Sequence, residues 1–179
     1  WADCGYIDGP ARQDEFYWHV LPAFVGSAKT TVVIVSDALR YEVARDVAAL
    51  LERERGGNVK VSSMQAVFPS ITEGGMPALL PHQVLELAED GAFVLADGMP
   101  TATTPQREAV LTHVEPTARA LRSSAYLNMA GTERKALLKD SRLVYLYHNT
   151  IDRIGESDGN VFEACTGAMD ELMQLMRIL

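Results

Sequence analysis

The sequence predicts an α/β fold: a mostly parallel sheet flanked by helices. Three observations carry that expectation. TTVVIVS is an unbroken, β-branched run, the pattern of a central strand covered on both faces. SRLVYLYHN is a second apolar run of the same kind. Between and after them, apolar residues recur at helical spacing, so strands and helices alternate along the chain.

Taken in order, QDEFYWHVLPAF predicts a helix ending around Pro22, because proline cannot continue a helix interior. TTVVIVS follows as the first main strand. Residues 38–55 place Val43, Val47, Leu50 and Leu51 on one helical face, and Gly56-Gly57 stops that helix. NVKVSSMQAVF alternates and predicts a second strand, completing a strand, helix, strand crossover. FPSITEGGMPALLPHQVLELAEDG reads as a turn-rich loop entering a short helix. GAFVLADG is a short strand ending at Asp97-Gly98. TTPQREAVLTHV is a helix that Thr104 caps, with Pro105 in the first helical position. Residues 117–140 predict one or two surface helices. After the strand SRLVYLYHN, NVFEACTGAMDELMQLMRIL is a helix with Val161, Cys165, Ala168, Leu172, Leu175 and Leu179 along one side.

The 179 residues include 47% hydrophobic and 22% charged residues, the composition of a globular domain. No apolar run approaches the roughly 20 residues of a membrane span, and the N-terminus carries no signal pattern; a cytoplasmic protein without membrane association is expected. A net charge of −8 argues against this segment alone gripping a nucleic-acid backbone, which needs clustered Lys and Arg. Cys4 and Cys165 lack CxxC or CxxH spacing, so no zinc knuckle or disulfide framework follows. The chain opens on Trp1 and closes inside an amphipathic helix. We therefore expect a segment of a larger protein, with residues 1–30 a helical lead-in and 31–179 a partial domain truncated at its C-terminus.

In parallel α/β sheets, ligands bind beyond the carboxyl ends of the strands. TTVVIVS runs into Asp37, and RLVYLY into His148, with Asp152 and Glu156 beyond. Carboxylates and an imidazole gathered at one rim repel one another unless a cation sits among them, and such ligands suit zinc, manganese or magnesium. The same residues also allow a plainer reading, with Asp37 capping a helix from Ala38 and the others as solvated loop residues. Thr72, before Gly74-Gly75 and a short helix, offers a hydroxyl where a phosphoryl group could meet backbone N–H groups, or else a simple turn cap. A bound metal would make that hydroxyl a nucleophile. Arg40 is placed to neutralise a substrate phosphate or to pair with Glu42 or Asp37. Asp97 is an outer candidate, and His82 and His113 read as structural or surface residues. No GxxxxGK[ST], GxSxG or HExxH occurs.

VVIVSDALRYEVA, then FPSITEGGMPALLPH, then LVYLYHNTIDRIGE resembles the PglZ family of bacterial BREX phage-defence proteins, whose central domain belongs to the alkaline phosphatase superfamily. The resemblance runs from about Val32 to the end. It implies a metal-dependent phosphatase or phosphodiesterase, with Asp37 matching the metal-binding Asp at the first strand end and Thr72 the nucleophile and ligand of the same metal. YHNTIDRIGESDG is also similar to the stretch of cofactor-independent phosphoglycerate mutases that carries an Asp, a Gly and a His as ligands of a second metal. By that match Asp152 is a ligand, Glu156 fills the His position, and His148 lies close enough to contribute. The downstream Asp-His pair and later His of the superfamily are not in this chain. The resemblance implies zinc first, with manganese or magnesium as alternatives, a phosphate-ester substrate, whether a nucleotide, a nucleic acid or a phosphoprotein, and other phage-defence proteins as partners. The competing expectation is a phosphatase-like interaction module that scaffolds a defence complex.

Overall fold

The computed structural model describes residues 5–23, 25, 29–55, 58–89, 91–155 and 161–179. The elements run β1 (Ala11–Arg12), three short helical turns over residues 13–23, β2 (Thr31–Ser36), α1 (Tyr41–Arg55), β3 (Met64–Gln65), α2 (Thr72–Ala78), β4 (Leu85–Leu87), β5 (Val94–Ala96) and β6 (Met99–Pro100). They continue with α3 (Thr104–Val114), β7 (Arg119–Arg122), α4 (Ser123–Asn128), α5 (Gly131–Asp140), β8 (Leu143–His148), α6 (Thr150–Gly155) and α7 (Val161–Ile178).

The main sheet has the order β2-β8-β7, with both pairings parallel. β8 is central and buried at all six positions, as its uninterrupted apolar sequence requires. Its alternation divides the core. Leu143, Tyr145 and Tyr147 face a cluster with Leu21, Met76, Leu80, Val110 and Leu111, against which Val33 and Val35 of β2 pack. Val144 and Leu146 face the other side with Tyr126 and Leu175, joined by Val32 and Ile34. The period of two along a strand thus produces a helix, sheet, helix sandwich. A third cluster joins Val47 of α1 to Leu172 and Met173 of α7. Burying each aliphatic side chain of β8 contributes roughly 1.5–3 kcal/mol.

Three tyrosines in these cores differ in how their hydroxyls are satisfied. The Tyr145 hydroxyl donates to the Leu79 carbonyl at 2.8 Å, and burial holds its pKa well above the ordinary value. Burial likewise pushes Tyr147 up to about 12, partly opposed by Arg107, whose guanidinium lies 4.8 Å from the Tyr147 ring centroid. The Tyr126 hydroxyl is buried with no hydrogen-bond partner among the described residues.

Several expected elements differ. Residues 13–23 form consecutive 3-10, π and 3-10 turns instead of one helix. Only Met64–Gln65 of NVKVSSMQAVF is a strand, and it pairs with β1 in a separate two-stranded sheet, so the expected crossover back into the main sheet does not form there. The strand within GAFVLADG joins an antiparallel sheet with β4 and β6. Thr103, not Thr104, caps α3, accepting from the Gln106 N–H while the Gln106 side chain returns to the Thr103 N–H. Residues 119–122, expected to be helical, are the third strand of the main sheet. His82 lies outside the helices and is buried, with its Nδ1 2.8 Å from the Leu80 carbonyl. In α7 the buried face runs through Ala164, Ala168, Leu172, Met173 and Leu175, while Leu179 is exposed. Gly56-Gly57 and Cys4 lie outside the described residues.

Candidate active site

The register of β2 on β8 pairs Ser36 with His148, so both strands end at one level of the sheet. The ladder extends one bond further, from the Asp37 N–H to the His148 carbonyl at 2.8 Å. Asp37 therefore leaves the sheet at its carboxyl rim, held by backbone. Asp37 is not the cap of α1, which starts at Tyr41. Its Oδ1 instead accepts from the adjacent Ala38 N–H at 3.0 Å. Ala38 has φ 55, a left-handed conformation that costs a residue with a Cβ about 1–2 kcal/mol and turns the chain sharply behind the acid.

Thr72 opens α2, and its hydroxyl donates to Asp37 Oδ2 at 3.1 Å. The approach of α2 depends on close backbone packing. Gln13 Nε2 donates to the Gly75 carbonyl at 3.0 Å, and a Cβ on Gly75 would come within 3.3 Å of that nitrogen. The Gly74 and Gly75 N–H groups both donate to the Ile71 carbonyl. Asp37 and Thr72 line an open groove of about 680 Å³ together with Ser36, Ser70, Glu73 and Asp152. Asp152 sits in the first turn of α6, which begins just past the end of β8. The structure thus brings together Asp37, Thr72 and Asp152.

The remaining expected residues lie elsewhere. His148, expected at the rim as a ligand, is 1% exposed and is not among the groove's lining residues. Its Nδ1 is 2.8 Å from Ser36 Oγ and its Nε2 is 2.9 Å from Glu171 Oε2, so both ring nitrogens are engaged by protein. Arg40 is exposed and does not line the groove. Asp97 is structural: its carboxylate accepts the Gln83 and Val84 N–H groups at 2.8–3.0 Å. His113 is exposed on α3. Glu156 lies outside the described residues. Among the described residues, no group of three or more His, Cys, Asp or Glu side chains is arranged to hold a metal ion.

Sequence reasoning missed Ser36, Glu73 and Glu171. Ser36 and His148 become visible together only when the two apolar runs are aligned by their ends. Glu171 carries no local signal, because its meeting with His148 depends on how α7 docks.

A parallel sheet between helical layers agrees with the core of an alkaline-phosphatase-like domain. The model of the BREX system PglZ alkaline phosphatase-like domain matches residues 16–179, and the chain belongs to this family of phage-defence domains. It is 37% identical over 176 residues to the alkaline phosphatase-like protein BrxZ of Escherichia coli O9:H4 (strain HS), an alignment covering 95% of the chain and 20% of that protein. It is 30% identical over 173 residues to the alkaline phosphatase-like protein PglZ of Bacillus cereus (strain H3081.97), again covering 95% and 20%. The chain thus spans about one fifth of the length of these curated relatives. No solved structure gives a significant match.

Proposed function

We propose that this chain carries part of the active site of a metal-dependent phosphatase or phosphodiesterase acting in phage defence, with Thr72 as nucleophile. The observation that supports this most directly is the 3.1 Å contact between Thr72 Oγ1 and Asp37 Oδ2. The donor set fits a hard divalent cation. The two oxygens lie 3.1 Å apart at one rim of the sheet, and such cations take oxygen ligands. Asp37 and Thr72 would hold one metal, zinc first with manganese or magnesium as alternatives, and Asp152 would contribute to a second, joined by Glu156. When bound, such an ion lowers the pKa of a hydroxyl and offsets charge on phosphoryl oxygens.

The chain's own residues supply position. The backbone bond from Asp37 to His148 fixes the carboxylate at the rim, and Asp37 Oδ2 holds the Thr72 hydroxyl proton and aligns its oxygen. Thr72 Oγ is the atom that attacks phosphorus as the ester oxygen leaves. Arg40 is exposed on the turn after Asp37 and lies outside the groove lining, so no substrate contact is assigned to it. The substrate is a phosphate ester, whether a nucleotide, a nucleic acid or a phosphoprotein, and the protein works beside other proteins of its defence system.

The test is a Thr72→Ala and a Thr72→Ser variant of the full-length protein, assayed on bis(p-nitrophenyl) phosphate with added zinc or manganese. Loss of turnover by two or more orders of magnitude in the alanine variant, with partial recovery in the serine variant, is expected. Unchanged hydrolysis in Thr72→Ala would overturn the nucleophile. Unchanged phage restriction by a variant without turnover would instead favour a scaffolding role.

A further inference from the structure

A chain of side-chain hydrogen bonds runs behind the groove through groups that the proposed reaction does not use. Ser36 Oγ is 2.8 Å from His148 Nδ1, and His148 Nε2 is 2.9 Å from Glu171 Oε2. The same Oε2 accepts the Thr150 hydroxyl at 2.6 Å. A carboxylate only accepts, so the proton between His148 and Glu171 sits on Nε2, which donates to Oε2, while Ser36 is the partner of Nδ1. Serine, histidine and acid in sequence suggest a nucleophile and its base. Yet the His148 side chain is 0% exposed and does not line the groove, so it does not itself meet a leaving group there.

The placement of the two ends shows a different use. Ser36, the last residue of β2, immediately precedes Asp37, and Thr150 opens α6, which carries Asp152 in its first turn. One oxygen of one side chain on α7 therefore ties down both segments that bring acids to the groove. We propose that Glu171 is a positioning residue that sets the spacing of Asp37 and Asp152, acting through His148 and Ser36 on one side and Thr150 on the other. This rests on the reading of Asp37 and Asp152 as metal ligands. Residues that orient ligands from behind carry much of a site's affinity, and their loss typically weakens metal binding about 10- to 100-fold.

Both bonds converge on Oε2, so the chemistry separates position from charge. A glutamine can present its amide oxygen to both donors, whereas alanine leaves His148 and Thr150 without their acceptor. The experiment is calorimetric titration of the metal-free full-length protein with Mn²⁺ alone, for the unaltered protein, Glu171→Ala, Glu171→Gln and Ser36→Ala, with thermal unfolding of each. Expected is a loss of about 10- to 100-fold in Mn²⁺ affinity for Glu171→Ala, affinity within about threefold of the unaltered protein for Glu171→Gln, and an intermediate loss for Ser36→Ala. If the unaltered protein binds Mn²⁺ and Glu171→Ala binds it equally well, the positioning role is overturned while the metal reading stands. A Glu171→Gln variant as weak as Glu171→Ala also overturns it, since charge and not geometry would then matter. Should Glu171→Ala fail to fold, Ser36→Ala decides, and undiminished affinity there refutes the proposal. No Mn²⁺ binding by the unaltered protein removes the metal reading and this inference with it.

Discussion

Removing the same atom from two core tyrosines is expected to change stability in opposite directions. Tyr126 and Tyr145 are both 0% exposed, and Tyr→Phe deletes only the hydroxyl in each case. The Tyr126 hydroxyl has no partner among the described residues, so folding strips it of water without replacement, at a cost of roughly 1–3 kcal/mol. Tyr126→Phe keeps the ring against Val144, Leu146 and Leu175 and removes that cost, leaving a space no larger than one oxygen. Net stabilisation of about 1–2 kcal/mol is expected. The Tyr145 hydroxyl donates to the Leu79 carbonyl at 2.8 Å, so Tyr145→Phe loses that bond and leaves the half-buried carbonyl without this donor, a destabilisation of about 1–2 kcal/mol. For a domain of this size each kcal/mol moves the melting temperature by about 2–4 °C. Thermal and urea unfolding of the two variants should therefore shift to opposite sides of the unaltered protein. Shifts of the same sign, or Tyr126→Phe melting lower, would refute the accounting of the two hydroxyls.

Other perturbations follow from the same core. Burial raises the Tyr147 pKa to about 12 against an unfolded value near 10, so its contribution to stability is complete below about pH 10 and is lost as pH rises through about 12. That contribution is about 3 kcal/mol, and alkaline unfolding curves of Tyr147→Phe should be less steep over this window than those of the unaltered protein. Leu175→Ala empties a fully buried position of α7 and should cost about 2–5 kcal/mol in urea unfolding; a smaller change would mean that α7 is not seated against Val144 and Leu146. Arg107 donates to the Thr101 carbonyl at 2.8 Å while its guanidinium lies over Tyr147. Arg107→Lys cannot reproduce both contacts and should lose about 1–2 kcal/mol by the same measurement.

What the sequence made legible is what depends on local pattern. β2 and β8 are visible because strands covered on both faces must be apolar at every position, and TVVIVS and LVYLYH are. β7 is not, because RALR is short and its Ala and Arg suit a helix equally well. What makes it a strand is position: it pairs with β8, and the Ala120 N–H meets the Glu108 carboxylate of α3 at 2.7 Å. NVKVSSMQAVF alternates like a strand, yet only its middle pairs, because its partner is the two-residue β1. At the groove, Asp37 and Thr72 were marked by the motifs around them, and the structure brings the two into contact. His148 was legible as a strand-end residue but not in its direction, since Glu171 draws it away from the groove and no spacing rule links positions that meet only after α7 docks.

The pairing of β2 with β8 also bears on when the site can exist. Ser36 and His148 are separated by 112 residues, so closing that contact means ordering a long loop before any ladder bond repays the cost. During synthesis the apolar strand before Asp37 emerges well ahead of the strand that will cover it, and Glu171 later still. Asp37 and Thr72 lie 35 residues apart, yet their groove is completed by β8 and α6, as a late product of folding.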